Sequence, residues 1–190
     1  MTTFLFDPAH SSVNFAIRHI MISNVRGHVS NVRGWLEFDL EKWILTALEA
    51  RMDLKDFCTG NAGRDEHVRG PDFFDAETFP TITFQSTKIE RLTAADHRVT
   101  GALRIRGREK EVTFDVHSLG IWEIPQKESD TTAPSIAFTG CTIIDRRDFG
   151  IHWNQPIPNG GLGLSNDVSI TLDIEAREKH TDEECPVCAG

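Results

Sequence analysis

The sequence predicts an all-β fold, an eight-stranded antiparallel barrel with one short helical segment near residues 61–76. Three observations carry that prediction. Apolar residues recur with a period of two over most of the chain, and glycines interrupt several strand-like runs. The one segment that breaks the period is polar and carries helix-capping residues.

The alternation is clearest near the end of the chain. There Val168, Ile170, Leu172, Ile174 and Ala176 alternate with Ser169, Thr171, Asp173, Glu175 and Arg177, a strand with one dry and one wet face. The same pattern appears at Val13, Phe15 and Ile17, and again at Leu48, Ala50, Met52 and Leu54, set against Glu49, Arg51 and Asp53. Ile82 and Phe84 give a shorter run; Val99, Gly101, Leu103 and Ile105 follow, then Val112, Phe114 and Val116. Ile136, Phe138, Gly140, Thr142 and Ile144 form a weaker version. Edge pieces at Phe4–Asp7 and Val25–Asp39 bring the total to about eight strands, a number that fits a sandwich or a closed barrel. Gly27, Gly34 and Gly101 sit inside strand-like runs, where they permit the bends that closure requires, and so favour the barrel.

Between Gly60 and Pro80 the alternation stops. Asn61 can cap a helix running to about Arg69, with acids early and Arg69 late, as the helix dipole prefers. Gly70-Pro71 ends it, and Asp72–Ala76 can make a further turn. Phe73, Phe74 and Phe79 give this connection a large apolar surface, for which a barrel mouth is the natural partner. The stretches 124–134 and 157–166 read as loops within one domain of residues 4–177, followed by a tail, 178–190, expected to be disordered.

Composition bounds the partners. A formal charge of −9, with 29 acids against 20 bases, argues against a nucleic-acid partner and against permanent docking on an anionic bilayer. No signal-like N-terminal segment and no apolar run of spanning length is visible, so a cytoplasmic location and no stable membrane insertion are expected. Cys58 and Cys141 read as small core residues. Cys185 and Cys188 have a spacing that can hold half a zinc site or a redox disulfide, and the sequence does not decide between these and a tail without chemistry.

Five phrases of the chain resemble the YceI-like family of lipid-binding proteins. They are FDPAHSSVNFAIRHIMISNVRGH at 6–28, RDEHVRGPDFFDAETFPTITFQST at 64–87, HRVTGALRIRGREKEVTFDV at 97–116, DRRDFGIHWN at 145–154 and VSITLDIEA at 168–176. The resemblance covers about residues 4–177. It implies a lipocalin-like barrel with a helical segment at one end, holding a ligand of the polyisoprenoid class such as a quinone or prenyl chain.

A ring of inward apolar residues is the candidate lining: Phe15, Ile17, Trp35, Met52, Phe73, Phe84, Leu103, Phe114, Phe138 and Trp153. Pattern alone favours a filled core for such a set. The family resemblance favours a hollow one. Strands of ten residues span roughly 33 Å, enough for an extended chain. A 40-carbon prenyl chain at about −0.3 kcal/mol per heavy atom gains roughly −12 kcal/mol, or about nanomolar affinity, without a polar anchor.

His19, His67 and Asp65 are the candidate polar anchors at the ligand head. They also define the competing reading, a metal-dependent or acid/base enzyme. Against it, the eight histidines include no HxH or HxxxH pair, and Asp65, Glu66 and His67 point in different directions around a helix. No nucleophile elbow, phosphate loop or zincin motif is present. The expectation is a binding protein with no catalytic residues, no metal and no cofactor beyond the lipid itself. A third reading is a protein-interaction module whose cap meets a partner. A homodimer with a lipid gate between two subunits is compatible with the sequence.

Overall fold

Where the alternation was read, the chain is extended, and its strands close into an antiparallel barrel. The computed structural model describes residues 1–125, 132–157 and 161–179. Cys185, Cys188 and most of the tail lie outside the described residues, as do parts of both expected loops. The strands are β1 (Thr2–Phe6), β2 (Ser12–His19), β3 (Ser23–Val29), β4 (Arg33–Asp39), β5 (Ile44–Asp53) and β6 (Phe57–Cys58). After the helix α1 (Ala62–Arg69) come β7 (Thr81–Arg91), β8 (Asp96–Ile105), β9 (Arg108–Pro125) and β10 (Thr132–Asp145). The short pair β11 (Pro156–Ile157) and β12 (Gly161–Leu162) stands apart, and β13 (Leu164–Glu178) completes the wall.

The wall has eight positions, three of them shared by two strands in succession. β1 and β2 both lie along β13, β1 at its end (Phe4↔Glu178) and β2 further up (Phe15↔Ile170). Between them Pro8, which lacks an N–H, interrupts the ladder. β3 and β4 share the next position, pairing β2 and β1 respectively. The expected single run Val25–Asp39 is therefore two strands, parted near Asn31, whose φ of 56° is left-handed. β5 and β6 form the third shared position, and β7, β8, β9, β10 and β13 follow antiparallel in order.

One end of the barrel is sealed. Phe4, Phe38, Ile136 and Ala176 are completely buried there, and Phe38 packs on Trp43 and Phe138 with ring centroids 5.5 and 6.1 Å apart. At the other end β5 and β7 pair only as far as Asp53↔Thr81, and residues 59–80 fill the opening that this leaves. The expected bends have a packing role. A Cβ at Gly27 would lie 2.6 Å from the Phe15 ring and from the Cys58 carbonyl, so only glycine lets that ring lie flat on the neighbouring strand. Cys141 departs from expectation: it lies on the wet face of β10 and is exposed, while Cys58 is half-buried.

Candidate ligand cavity

Inside the barrel the strands leave a cavity of about 560 Å³, within the range that encloses a whole small-molecule ligand. Its walls are the dry faces of the alternating strands: Val13, Phe15 and Ile17 from β2, Val99, Leu103 and Ile105 from β8, and Val168, Ile170, Leu172 and Ile174 from β13. Of the ten residues singled out from sequence, Phe15, Ile17, Met52, Phe73, Phe84, Leu103, Phe114, Phe138 and Trp153 line it. Trp35 does not. Gly34, Leu36 and Phe38 are the buried parity of β4, so Trp35 shares the outer face with Arg33 and Glu37, and Leu36 takes the lining position.

The polar side chains of the cavity wall stand at one end. The side chains that bring polar atoms to the wall are His19, Thr59, Arg64, His67, Arg146 and Gln155. All belong to the open end: His19 closes β2, Thr59, Arg64 and His67 belong to the helical excursion, and Arg146 and Gln155 follow β10. Toward the sealed end the lining is Leu36, Leu45, Val99, Val116 and Phe138, without a polar side chain. The site thus matches a molecule with a long apolar body and a polar head. Water gains little in such a hollow, because only the mouth offers it hydrogen-bond partners.

The excursion over the mouth is built as its sequence predicts. Asn61 caps α1, its side-chain oxygen accepting the Arg64 N–H at 3.0 Å, and Gly70 ends the helix. Asp65 is buried and accepts hydrogen bonds from the Thr59 hydroxyl and, at 2.9 Å, the Thr59 N–H. Burial pushes the Asp65 carboxyl up, but those two bonds and the charges of Arg69 and Arg64 outweigh it and hold the group below the ordinary carboxylate value. Arg64 donates to the Thr59 hydroxyl and carbonyl, and Arg69 donates to the Phe57 carbonyl at 2.9 Å. Asp65 is therefore a fastening of the cap and does not line the cavity.

His67 does reach the cavity. Its ring stands edge-on to both Phe73 and Trp153, centroids 5.2 and 4.9 Å away, and its Nε2 lies 2.9 Å from Asp72 Oδ2. Phe73 and Phe74 line the cavity beneath it, while Phe79 packs outside, against Gly107 at the β8–β9 turn. No hydrogen bond or ion pair joins His19, His67 and Asp65 to one another among the described residues.

Arg146 is the residue that sequence reasoning passed over. Its charge suggests a surface position, but it is 4% exposed and reaches the cavity wall. Its Nε donates to the Ser165 carbonyl at 2.9 Å, and its Nη1 to the Ile151 and Trp153 carbonyls at 3.0 and 2.7 Å. It thereby pins the segment carrying Trp153 to β13. Burial lowers its pKa, against the charge of Asp145. Asp145 itself is taken by Arg147, whose Nε donates at 3.0 Å, and that hydrogen bond does most to lower the carboxyl to about 2. The signal was present in the parity: Arg146 continues the inward series Phe138, Gly140, Thr142 and Ile144.

One further group of ligand-type side chains comes together away from the cavity. Asp7, His10 and Glu175 can offer one atom each within 4.8 Å of one another. None of them lines the cavity, and the Asp7 carboxylate already accepts the Ala9 N–H at 2.8 Å and meets His10 Nδ1 at 3.1 Å. Glu175 is distant in sequence, so spacing could not have revealed it. Among the described residues no helix is long and apolar enough to cross a membrane.

Comparison with known proteins agrees with this architecture. A UPF0312 protein of Staphylococcus aureus (strain N315) is 33% identical over 175 residues, covering 92% of this chain and 97% of that protein. A YceI protein of Campylobacter jejuni has a solved structure with TM-score 0.72 and 27% identity, covering 86% of this chain and 90% of its own. BcnA of Burkholderia cenocepacia shares the fold at TM-score 0.74 and 23% identity, over 90% of this chain and 98% of that one. A polyisoprenoid binding domain from Saccharophagus degradans shares it at TM-score 0.61 and 14% identity, over 94% and 99%. The sequence profile of the YceI-like domain matches residues 4–176, and the chain belongs to that family.

Proposed function

We propose that this protein binds a long-chain isoprenoid lipid, a quinone or a prenyl chain, in the barrel interior, and carries or stores it there. One observation carries the reading: a cavity of about 560 Å³ whose polar groups stand at the mouth and whose depth is hydrocarbon. An apolar chain entering it leaves water at about 25 cal/mol per Å² of buried surface. The polar head then rests among His19, Arg64 and His67, where its own hydrogen bonds need not be broken. The barrel of like fold described as polyisoprenoid-binding supports the ligand class. Asp72 orients His67 as a carboxylate orients a base, but the Thr59 hydroxyl at the mouth is already engaged by Asp65 and Arg64 and Asp65 does not line the cavity, so binding is favoured over acid/base chemistry.

The test is extraction. Purified protein is stripped with organic solvent, the extract is identified by mass spectrometry, and the stripped protein is offered a long prenyl quinone and a free prenol. A single adduct in native mass spectra supports the proposal. Material that yields no apolar guest and accepts neither probe ends it. The same spectra count the subunits, and so test the homodimer.

A further inference from the structure

The turn between β2 and β3 carries three consecutive apolar residues on the surface. Ile20, Met21 and Ile22 are 37%, 66% and 79% exposed. The turn is closed by the Ile22 N–H donating to the His19 carbonyl at 3.0 Å, with Ile20 and Met21 at φ of 50° and 58°. Asn and Gly adopt that left-handed geometry at little cost, and they are also the soluble choice for a hairpin tip. A β-branched residue there is both strained and apolar, a combination that folding does not explain. The tip also belongs to the mouth. Ile20 lines the cavity, and its N–H donates at 2.8 Å to the carbonyl of Gly163, which precedes the neighbouring strand β13.

Charge on the same hairpin is equally one-sided. Residues 8–36 contain no aspartate or glutamate, and all 29 acids of the chain lie elsewhere. Arg18 and Arg26 are exposed on the outer face of the hairpin, with Arg18↔Asn24 and Ala16↔Arg26 in register, so the two guanidinium groups are diagonal neighbours. His28 is exposed two residues further along β3. Among the described residues neither arginine has an ion-pair or hydrogen-bond partner. Near the mouth Asp72 is held by His67 and Asp145 by Arg147, while Asp167, exposed on β13 beside the Val168↔Ile17 pair, forms no ion pair with Arg18 among the described residues.

We infer that the β2–β3 hairpin is a membrane-docking tip, which sets Met21 and Ile22 into an anionic bilayer with Arg18 and Arg26 on its head-groups, so that the cavity mouth opens onto lipid. An apolar tip with unpaired cations beside it is the arrangement by which a protein rests in the interface without spanning it. The overall charge of −9 keeps the contact transient. This deepens the carrier reading by giving the lipid a route that never crosses water, and it rests on that reading only for its purpose.

Co-sedimentation with vesicles tests it. Protein without added lipid ligand is mixed with vesicles of phosphatidylcholine alone or with phosphatidylglycerol added, at low and raised salt. The wild-type chain should pellet with the anionic vesicles and be released by salt. Met21→Asp/Ile22→Asp should lower that binding by at least about tenfold, since each apolar side chain returned to water is worth about that factor. Arg18→Glu/Arg26→Glu should abolish the preference for phosphatidylglycerol. Ile143→Asp, at a 67% exposed position on the outer wall of β10, should bind as wild type. Thermal unfolding of each variant confirms its fold. No wild-type association with either vesicle, or equal binding by the tip variants, overturns the inference and leaves the patch to a protein partner. Uptake of a prenyl quinone from detergent should be unchanged in the tip variants. Its failure in all chains would sink the carrier reading alone, because sedimentation needs no bound quinone.

Discussion

His67 meets Trp153 edge-on, ring centroids 4.9 Å apart at 90°, joining the helical cap to the segment that Arg146 pins to the wall. The cap is otherwise fastened through Asp65, Arg64 and Arg69 near β6 and through Arg106, whose guanidinium donates to the Pro71 and Gly150 carbonyls at 2.8 and 3.0 Å. His67 is therefore the contact that ties the helix itself to the Trp153 segment. Edge-to-face aromatic pairs contribute about 0.5–1.5 kcal/mol beyond their buried area. His67→Ala should lower unfolding stability in urea by about 1 kcal/mol, and it should speed release of a bound prenyl quinone, followed by transfer to acceptor vesicles. Unchanged release would mean that the lipid does not leave past this contact.

A side chain grown into the cavity separates lining from packing. Ala50 on β5 lines the hollow, and Ala50→Trp would occupy space that a ligand needs. Overpacking a filled core costs about 1–3 kcal/mol; placed in a real void, the indole should cost less than that while abolishing uptake of the quinone. Trp35→Ala, on the outer face of β4, should leave uptake at the wild-type level. Equal uptake by both variants would contradict the placement of the ligand.

The strands were legible because one dry face and one wet face impose a period of two, and that period also tells which residues face inward. Trp35 is out of phase with the lining, because Leu36 and Phe38 fix the inward parity of β4. Arg146 is the converse case, since its charge suggests a surface position while its phase with Ile144 points inward. The split of residues 25–39 at Asn31 was not legible, because it depends on β1 and β2 sharing one wall position, a tertiary fact. Nor does alternation distinguish a hollow from a filled barrel. Both bury the same faces, and only the summed side-chain volumes in three dimensions decide.

Gly101 offers a test of strand bending. Its partner strand shifts register between Ser86 and Lys88, and a Cβ at 101 would lie 2.4 Å from the Gln85 carbonyl and 2.5 Å from the Phe84 ring. The ring can turn but the carbonyl belongs to the ladder. Gly101→Ala should therefore destabilise by about 1–3 kcal/mol, although alanine suits an ordinary strand better than glycine. A stabilised variant would show that the wall can relax at the bulge.

Acid should weaken the fold in two steps. His97, 1% exposed, faces the sealed end of the barrel, and neither ring nitrogen finds a partner of hydrogen-bonding geometry among the described residues. Burial pushes its pKa below the ordinary 6.5, more than the nearby Ala95 backbone and Asp96 push it up. As the pH falls through 6.5 the unfolded chain gains a proton that the folded chain refuses, so stability present above 6.5 is lost. The second step belongs to carboxylates. Asp145 is lowered from 3.8 to about 2, and Asp65 is lowered too, so their contribution is full above 3.8 and fades as the pH drops toward 2. The Arg147 end of the Asp145 pair is 52% exposed, and screening holds that contribution to about 1 kcal/mol or less. Urea unfolding from pH 8 to about pH 2 should show both steps. His97→Leu should remove the first, because no proton is then taken up near neutrality, and should leave the second. A wild-type stability curve flat between pH 7 and pH 5 would place His97 in contact with solvent or with a partner that holds its proton.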